Sequence, residues 1–181
     1  MTLVVTLAMF GAELGGCSGD GANSTPAPDD ATTYAVQRLA LDSLFTSREH
    51  HARIVVWATD AGDGPVLEAL GAIVVRPAHA RVIDLAQLAP VLPVRLMNER
   101  ELATLFRENP DAWAAFFREN PEAAGLVELS PVRLSRDGQV AETIIGRSCG
   151  EHCRNAWRLR ERRVNSAWQI ASLQWLPIRG V

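Results

Sequence analysis

Short apolar runs, separated by polar turn signals, fill the last third of the chain and predict β-strands. Four runs have the length and composition of strands: 132–134, 140–145, 157–159 and 168–173. Asp137-Gly138 stands between the first two runs and signals a two-residue hairpin turn, and Asn165-Ser166 is a weaker signal between the last two. The pattern therefore predicts an antiparallel meander of four strands.

Two cysteines mark the remaining turn of this meander. Cys149 and Cys153 are four residues apart, so on an extended strand their Cα atoms would be about 13 Å from each other. A disulfide needs Cα atoms within about 7 Å, so a bond between them requires the chain to reverse at 150–152. We expect this disulfide, which would set Ile145 opposite Trp157 and contribute at most about 2 kcal/mol to stability.

The three turns together fix a register that gives the sheet one mainly apolar and one mainly polar face. On the apolar face the expected pairs are Thr143 with Leu159, Leu134 with Ala141, and Ile170 with Glu161. The other face carries a row of Arg133, Glu142 and Arg160 across three strands, together with Val140, Ile144 and Leu173. Three separate turn predictions that agree on a two-faced sheet support this register.

Helical spacing is more common before the meander. Apolar residues at positions 36, 39, 41, 44 and 45 predict an N-terminal helix over 34–45, and 54–57 has the composition of a short buried strand. Residues 62–91 are ambiguous, because 73–75 resembles a strand and 82–88 fits either a strand or a helix.

A local repeat predicts a corner of short helices. Residues 106–112 recur almost unchanged as 117–123, and each copy contains Asn-Pro, which can end one helix and begin the next. We expect helices over 98–108 and 110–119, and a turn after Pro121. The predicted fold is therefore α+β, with the N-terminal helix and these short helices packed on the apolar face of the four-stranded meander.

The N-terminus has the organisation of an export signal. Residues 2–12 are almost wholly apolar, too short to span a bilayer and of the right length for a signal-peptide core. They lead into Leu14-Gly15-Gly16-Cys17, which resembles the lipobox of bacterial lipoproteins, where the cysteine is acylated.

The lipobox resemblance implies a division of the chain into three parts. These are a signal peptide over 1–16, a flexible tether over 17–33 that begins at lipidated Cys17, and one α+β domain over 34–181. It also implies a location in the cell envelope, on the periplasmic or extracellular side, with the lipid as the membrane contact. In the alternative interpretation the protein is cytosolic and Cys17 is incidental.

A second resemblance covers about the last eighty residues, which are similar to an uncharacterised group of exported bacterial proteins. The residues that carry it are Trp113, Phe116, Phe117, Pro121, Gly125, Leu129-Ser130-Pro131-Val132, Cys149-Gly150-Glu151-His152-Cys153 and Trp168. The group usually has Leu and Gly where this chain has His152 and Arg154. The resemblance implies no activity.

Charge is distributed unevenly along the chain. All 18 basic residues are arginines and the net charge is −3, but residues 147–181 carry seven arginines and only two acidic residues. Four of these arginines share a strand face that we expect to contact an anionic envelope component or protein: Arg154, Arg158, Arg160 and Arg162. The alternative is a solvated face partly neutralised by Glu142. An exported, net acidic protein is not expected to bind nucleic acid.

The sequence contains no glycine-rich phosphate loop and no paired-histidine metal motif. Redox cysteine pairs normally enclose two residues at a helix N-terminus, whereas Cys149 and Cys153 enclose three between strands. Zinc binding by these cysteines and His152 would need a further ligand from His50, His51 or His79. We therefore expect a binding or accessory domain that has no cofactor and no metal. The alternatives are an envelope enzyme that uses Cys149, Cys153 and His152, and a structural envelope component.

Overall fold

One mixed β-sheet runs through the part of the chain that the structure describes. A computed structural model describes residues 27–46, 53–57, 81–88, 90–91 and 93–178. Its helices are α1 (Asp30–Phe45), α2 (Leu85–Leu88), α3 (Glu99–Arg107) and α4 (Ala112–Glu119). Its strands are β1 (Arg53–Trp57), β2 (Val94–Met97), β3 (Ala123–Leu129), β4 (Arg133–Leu134), β5 (Val140–Gly150), β6 (Cys153–Val164) and β7 (Ala167–Leu176). The α+β class is confirmed.

The sheet joins a parallel half to an antiparallel half. Among the described residues its order is β2-β1-β3-β5-β6-β7, with β4 beside β5. Strand β1 is parallel to β2 and β3, whereas all the later pairings are antiparallel. The described part of the chain contributes seven strands to the sheet, which is therefore larger than the four-stranded meander predicted. Strand β3 was missed altogether, because the sequence predicts only a turn after Pro121. The strand expected at 73–75 lies outside the described residues.

The hairpin registers are those predicted, with two exceptions. Beside the disulfide turn the register shifts between Ser148 and Gly150, so that Gly150 and not Cys149 lies opposite Cys153. The other exception is at the edge of the sheet. Ile145 lies opposite Trp157, and Glu161 lies opposite Ile170. The next pair along is Arg160 with Ser172, so Ala171 is an extra residue that forms a β-bulge. The bulge moves Leu173 to the apolar face, whereas the unbulged register placed it on the polar face.

Helix α1 covers the apolar face of the sheet. It begins at Asp30, four residues before the predicted start, because Asp29 caps it by accepting a hydrogen bond from the Thr32 backbone N–H at 2.7 Å. Hydrogen bonds from Thr32 also lower the pKa of Asp29. The buried side of α1, which includes Leu41, packs in one cluster with Ile145 and Leu159.

Helices α3 and α4 pack on the opposite face of the sheet, which corrects the prediction that they cover the meander. Their apolar side chains form a cluster with Val55 of β1 and Leu126 of β3, and not with β5, β6 or β7. Asn98 begins α3 in a capping box with Glu101. The two helices end at Arg107 and Glu119, each just before an Asn-Pro of the repeat.

Gly125 and Ser130 hold β3 against its neighbours. Gly125 has φ of 127°, and a Cβ atom there would lie 2.3 Å from the carbonyl oxygen of Ser148 on β5. The Ser130 hydroxyl accepts a hydrogen bond from the Ile144 backbone N–H at 2.8 Å, and the Gln37 amide of α1 donates to the Ser130 carbonyl at 3.2 Å. These residues therefore have a structural role at the centre of the sheet.

Candidate functional site

Five arginines share one side of β4 and β6, and we call this surface the arginine face. Side chains alternate between the two sides of a strand, so arginines at even positions of β6 all point away from α1. Glu142 of β5 lies opposite Arg160 of β6 on one side and opposite Arg133 of β4 on the other, so Arg133 shares the side of the sheet on which Arg160 lies. The structure thus brings together the four predicted residues and Arg133, and the full set is Arg133, Arg154, Arg158, Arg160 and Arg162.

Glu142 lies in the middle of the arginine face and neutralises part of it. Its carboxylate is 3.7 Å from Nε of Arg158 and 4.0 Å from Nε of Arg160. Such partly exposed pairs contribute about 0–1 kcal/mol each. Arg154, Arg162 and Arg133 have no carboxylate within 4.0 Å among the described residues. Positive charge therefore exceeds negative charge on this face.

The accessible part of the face is an open strand surface above a small apolar cluster. Ile144, Ala156 and Leu176 are buried beneath it. Arg158 lies opposite Ile144, and its side chain is only 28% exposed, whereas the Arg160 side chain is 58% exposed. Arg133 and Arg162 are exposed as well. A partner would therefore first contact the guanidinium groups of Arg133, Arg160 and Arg162.

The predicted disulfide is present at one end of the arginine face. Cys149 and Cys153 are bonded across the turn between β5 and β6, with 5.0 Å between their Cα atoms. His152 is exposed in this turn. A disulfide offers no thiolate, and within the described ranges no three His, Cys, Asp or Glu side chains are grouped as metal ligands.

Several predicted residues lie outside the described residues. These are Cys17, with the rest of the leader, and His50, His51 and His79. In the ranges that are described, no helix is long and apolar enough to cross a bilayer.

Glu161 was not among the predicted site residues, and its environment is unusual for a charged side chain. Its side chain is fully buried on the α1 side of the sheet, between Ala141 and Ile170, and neither carboxyl oxygen has a hydrogen-bond partner among the described residues. Burial, and to a lesser extent the charge of Glu142, raises the pKa of Glu161 to about 8. The signal was already in the predicted register, which set this glutamate opposite Ile170.

Two clefts lie away from the arginine face. One, of about 410 Å³, contains Arg95, whose guanidinium donates to Asn120 at 2.8 Å and is 3.4 Å from Glu101. Its charge is thus already satisfied by the protein. The other, of about 560 Å³, is a groove between α1 and the start of β7 that is lined partly by Leu39 and Trp168.

Comparison with known proteins gives no match to any family model, curated protein or solved structure. Functional inference therefore depends on the arginine face and on the chemistry of the residues around it.

Proposed function

We propose that this protein is an exported, membrane-anchored lipoprotein whose folded domain binds an anionic component of the cell envelope. The arginine face is the observation that carries the proposal, because it concentrates exposed guanidinium groups on one open surface. In this proposal, β4 to β7 act as a four-stranded meander that carries the binding surface, and the remaining elements support it from the other side and from the edge.

The spacing of the arginines favours an extended ligand with repeated negative charges. Alternate residues of a strand are about 7 Å apart, so Arg158, Arg160 and Arg162 form a line of positive charge along β6. Arg133 lies two strands away, about 10 Å to one side. Guanidinium groups donate paired hydrogen bonds to carboxylates and phosphates. An acidic polysaccharide or an anionic lipid surface offers both the groups and the repetition.

The envelope location is supported by the leader and by the disulfide. The segment ending at Cys17 resembles a lipobox, and residues 17–33 have the composition of a flexible tether. Disulfides are typical of proteins that fold outside the reducing cytosol. Acylation of Cys17 would hold the domain within reach of anionic groups on the membrane or in the surrounding polymer.

Charge reversal on the arginine face tests the proposal. We expect Arg160→Glu with Arg162→Glu to lower affinity for a soluble carboxylated polysaccharide, and for vesicles of anionic phospholipid, by at least about tenfold. Both side chains are exposed, so the fold should be retained. Binding by the unmodified protein should also weaken as salt is added, because exposed charges are screened beyond about 8 Å at physiological ionic strength.

The matched control reverses two arginines elsewhere. Arg100→Glu with Arg107→Glu makes the same change in net charge on α3, where both residues are exposed. Retained binding by this control together with loss in the first variant would support a localised site. Equal loss in both would mean that only net charge matters, and unchanged binding in the first variant would show that the arginine face is solvated surface. The polysaccharide and the vesicles, each compared with a neutral counterpart, identify the partner class.

A further inference from the structure

Among the described residues, strand β7 is the last strand of the sheet, and its edge is uncharged and exposed. Its ten residues, Ala167–Leu176, include no charged side chain and no proline. Trp175 is 57% exposed and Leu173 is 39% exposed. Sheet edges in soluble proteins usually carry charge or proline, because an unprotected edge can pair with another strand.

The sequence of β7 is close to a chemical palindrome. Read outward from the point between Ala171 and Ser172, the two halves match residue by residue: Ala171 with Ser172, Ile170 with Leu173, Gln169 with Gln174, Trp168 with Trp175, and Ala167 with Leu176. If two such strands pair antiparallel about a two-fold axis at this point, each residue meets its counterpart from the second copy.

The bulge at Ala171 makes this pairing possible in three dimensions. Without it, Ile170 and Leu173 would lie on opposite faces of the sheet, because their separation is odd. With the extra residue, the strand pairs Ile170 with Glu161 and Leu173 with Leu159, so both side chains lie on the α1 side. Trp168 and Trp175 lie on this side as well, opposite Arg163 and Trp157. The glutamines point to the arginine side.

We propose that β7 is a homodimer interface, in which it pairs antiparallel with β7 of a second copy about a two-fold axis between Ala171 and Ser172. The exposed Trp175 of each copy then lies against Trp168 of the other, beside the groove of about 560 Å³ between α1 and β7. Cross-strand aromatic and aliphatic pairs stabilise sheets, and this register forms two of each kind.

A second copy fits this edge better than an unrelated strand does. An isologous contact requires a surface that complements itself, and the near-palindrome meets that requirement at its tryptophan, glutamine and aliphatic positions. The absence of charge on β7 also means that no like charges meet across the axis.

The register of the proposed pair can be tested by charge. Gln169 and Gln174 are both exposed and would face each other across the interface. A variant with Gln169→Lys and Gln174→Lys would place like charges together twice in each dimer, as would Gln169→Glu with Gln174→Glu. In sedimentation equilibrium of the full chain, we expect a dimer for the unmodified protein and loss of the dimer for each variant alone. An equimolar mixture of the two variants should restore a dimer.

A monomeric unmodified protein would overturn the proposal, and so would charged variants that dimerise as well as the unmodified protein, because the contact would then lie elsewhere. A mixture that stays monomeric would contradict the register. A Trp175→Ser variant provides a second route, since it should weaken the dimer at least about tenfold. The control Val82→Ser removes another exposed apolar side chain and should leave the dimer as stable as in the unmodified protein.

Discussion

At the scale of single residues, Glu161 is the clearest conflict between local chemistry and the fold. It lies on the apolar face of β6, where the neighbouring Leu159 is buried without a desolvation penalty. A buried carboxyl without a partner is strongly disfavoured as an anion, so it takes up a proton. The pKa of about 8 means that the folded state keeps this proton at neutral pH, whereas the unfolded chain does not.

This difference predicts how stability depends on pH. Above the unfolded pKa of 4.5, unfolding releases a proton, so the free energy of unfolding falls as the pH rises towards about 8 and then levels off. The largest possible slope from one group is about 1.4 kcal/mol per pH unit. Glu161→Gln removes the titration and keeps the shape of the side chain. We expect the variant to be more stable than the unmodified protein at about pH 8.5, and to lose this advantage at about pH 5.

Urea unfolding of both proteins at the two pH values measures the difference. Other carboxyl groups, such as Asp29 and Asp137, keep the same environment in both proteins, so their titration cancels in the comparison. A constant difference between the two proteins across this range would show that Glu161 is hydrated in the folded state.

At the scale of elements, the parts that could be predicted are those whose signals are local. The hairpins between β4 and β7 could be predicted because residues within each turn signal it. At Asp137-Gly138, for example, Gly138 has the positive φ of 66° that such a turn requires. The corner between α3 and α4 could be predicted for the same reason, because Asn-Pro marks a helix boundary independently of tertiary contacts.

Elements that depend on distant partners were not predictable in the same way. Strand β3 has Ala and Gly in its first half and gains its place from β1 on one side and β5 on the other. The bulge at Ala171 has no turn residue to announce it, and it reversed the predicted orientation of Leu173. The alternation of side chains along β6 was enough to predict which of its arginines share a side. The side of the sheet on which α3 and α4 pack was not predictable in this way, because it follows from the parallel pairing of β1 and β3.

The approach of β3 to β5 at Gly125 leads to a prediction for these two strands. We expect Gly125→Ala to destabilise the protein by more than about 2 kcal/mol, because the new methyl group would collide with backbone and the φ of 127° is strained for alanine. Gly138→Ala is the matched control. The φ of Gly138 is also positive, but no described atom lies within 4 Å of the added Cβ, so this substitution should cost only about 1 kcal/mol of stability. Chemical denaturation measures both, and equal losses would contradict the close packing at Gly125.

At the scale of the whole molecule, the two proposed surfaces are compatible. A two-fold axis perpendicular to the sheet leaves each side of the sheet on the same side in both copies, so a β7-paired dimer would present both arginine faces in one direction. Two weak electrostatic contacts to one polymer or membrane would then act together, which increases the apparent affinity without any new contact. The lipid anchor proposed at Cys17 would act in the same way by raising the local concentration of the domain.

The anchor is itself testable. If Cys17 is acylated, metabolic labelling with a fatty acid should mark the unmodified protein and not a Cys17→Ala variant, and the labelled form should fractionate with membranes. The physical reason is that an acyl chain adds about 0.8 kcal/mol of membrane affinity for each buried CH₂ group. Summed over the whole chain, this contribution is far larger than that of the exposed ion pairs of the arginine face. Arg160→Glu with Arg162→Glu should therefore remain membrane-bound while losing affinity for the soluble polyanion. Equal labelling of the Cys17→Ala variant, or no labelling of either protein, would refute the lipobox interpretation, and the arginine face would then have to reach its partner without a lipid.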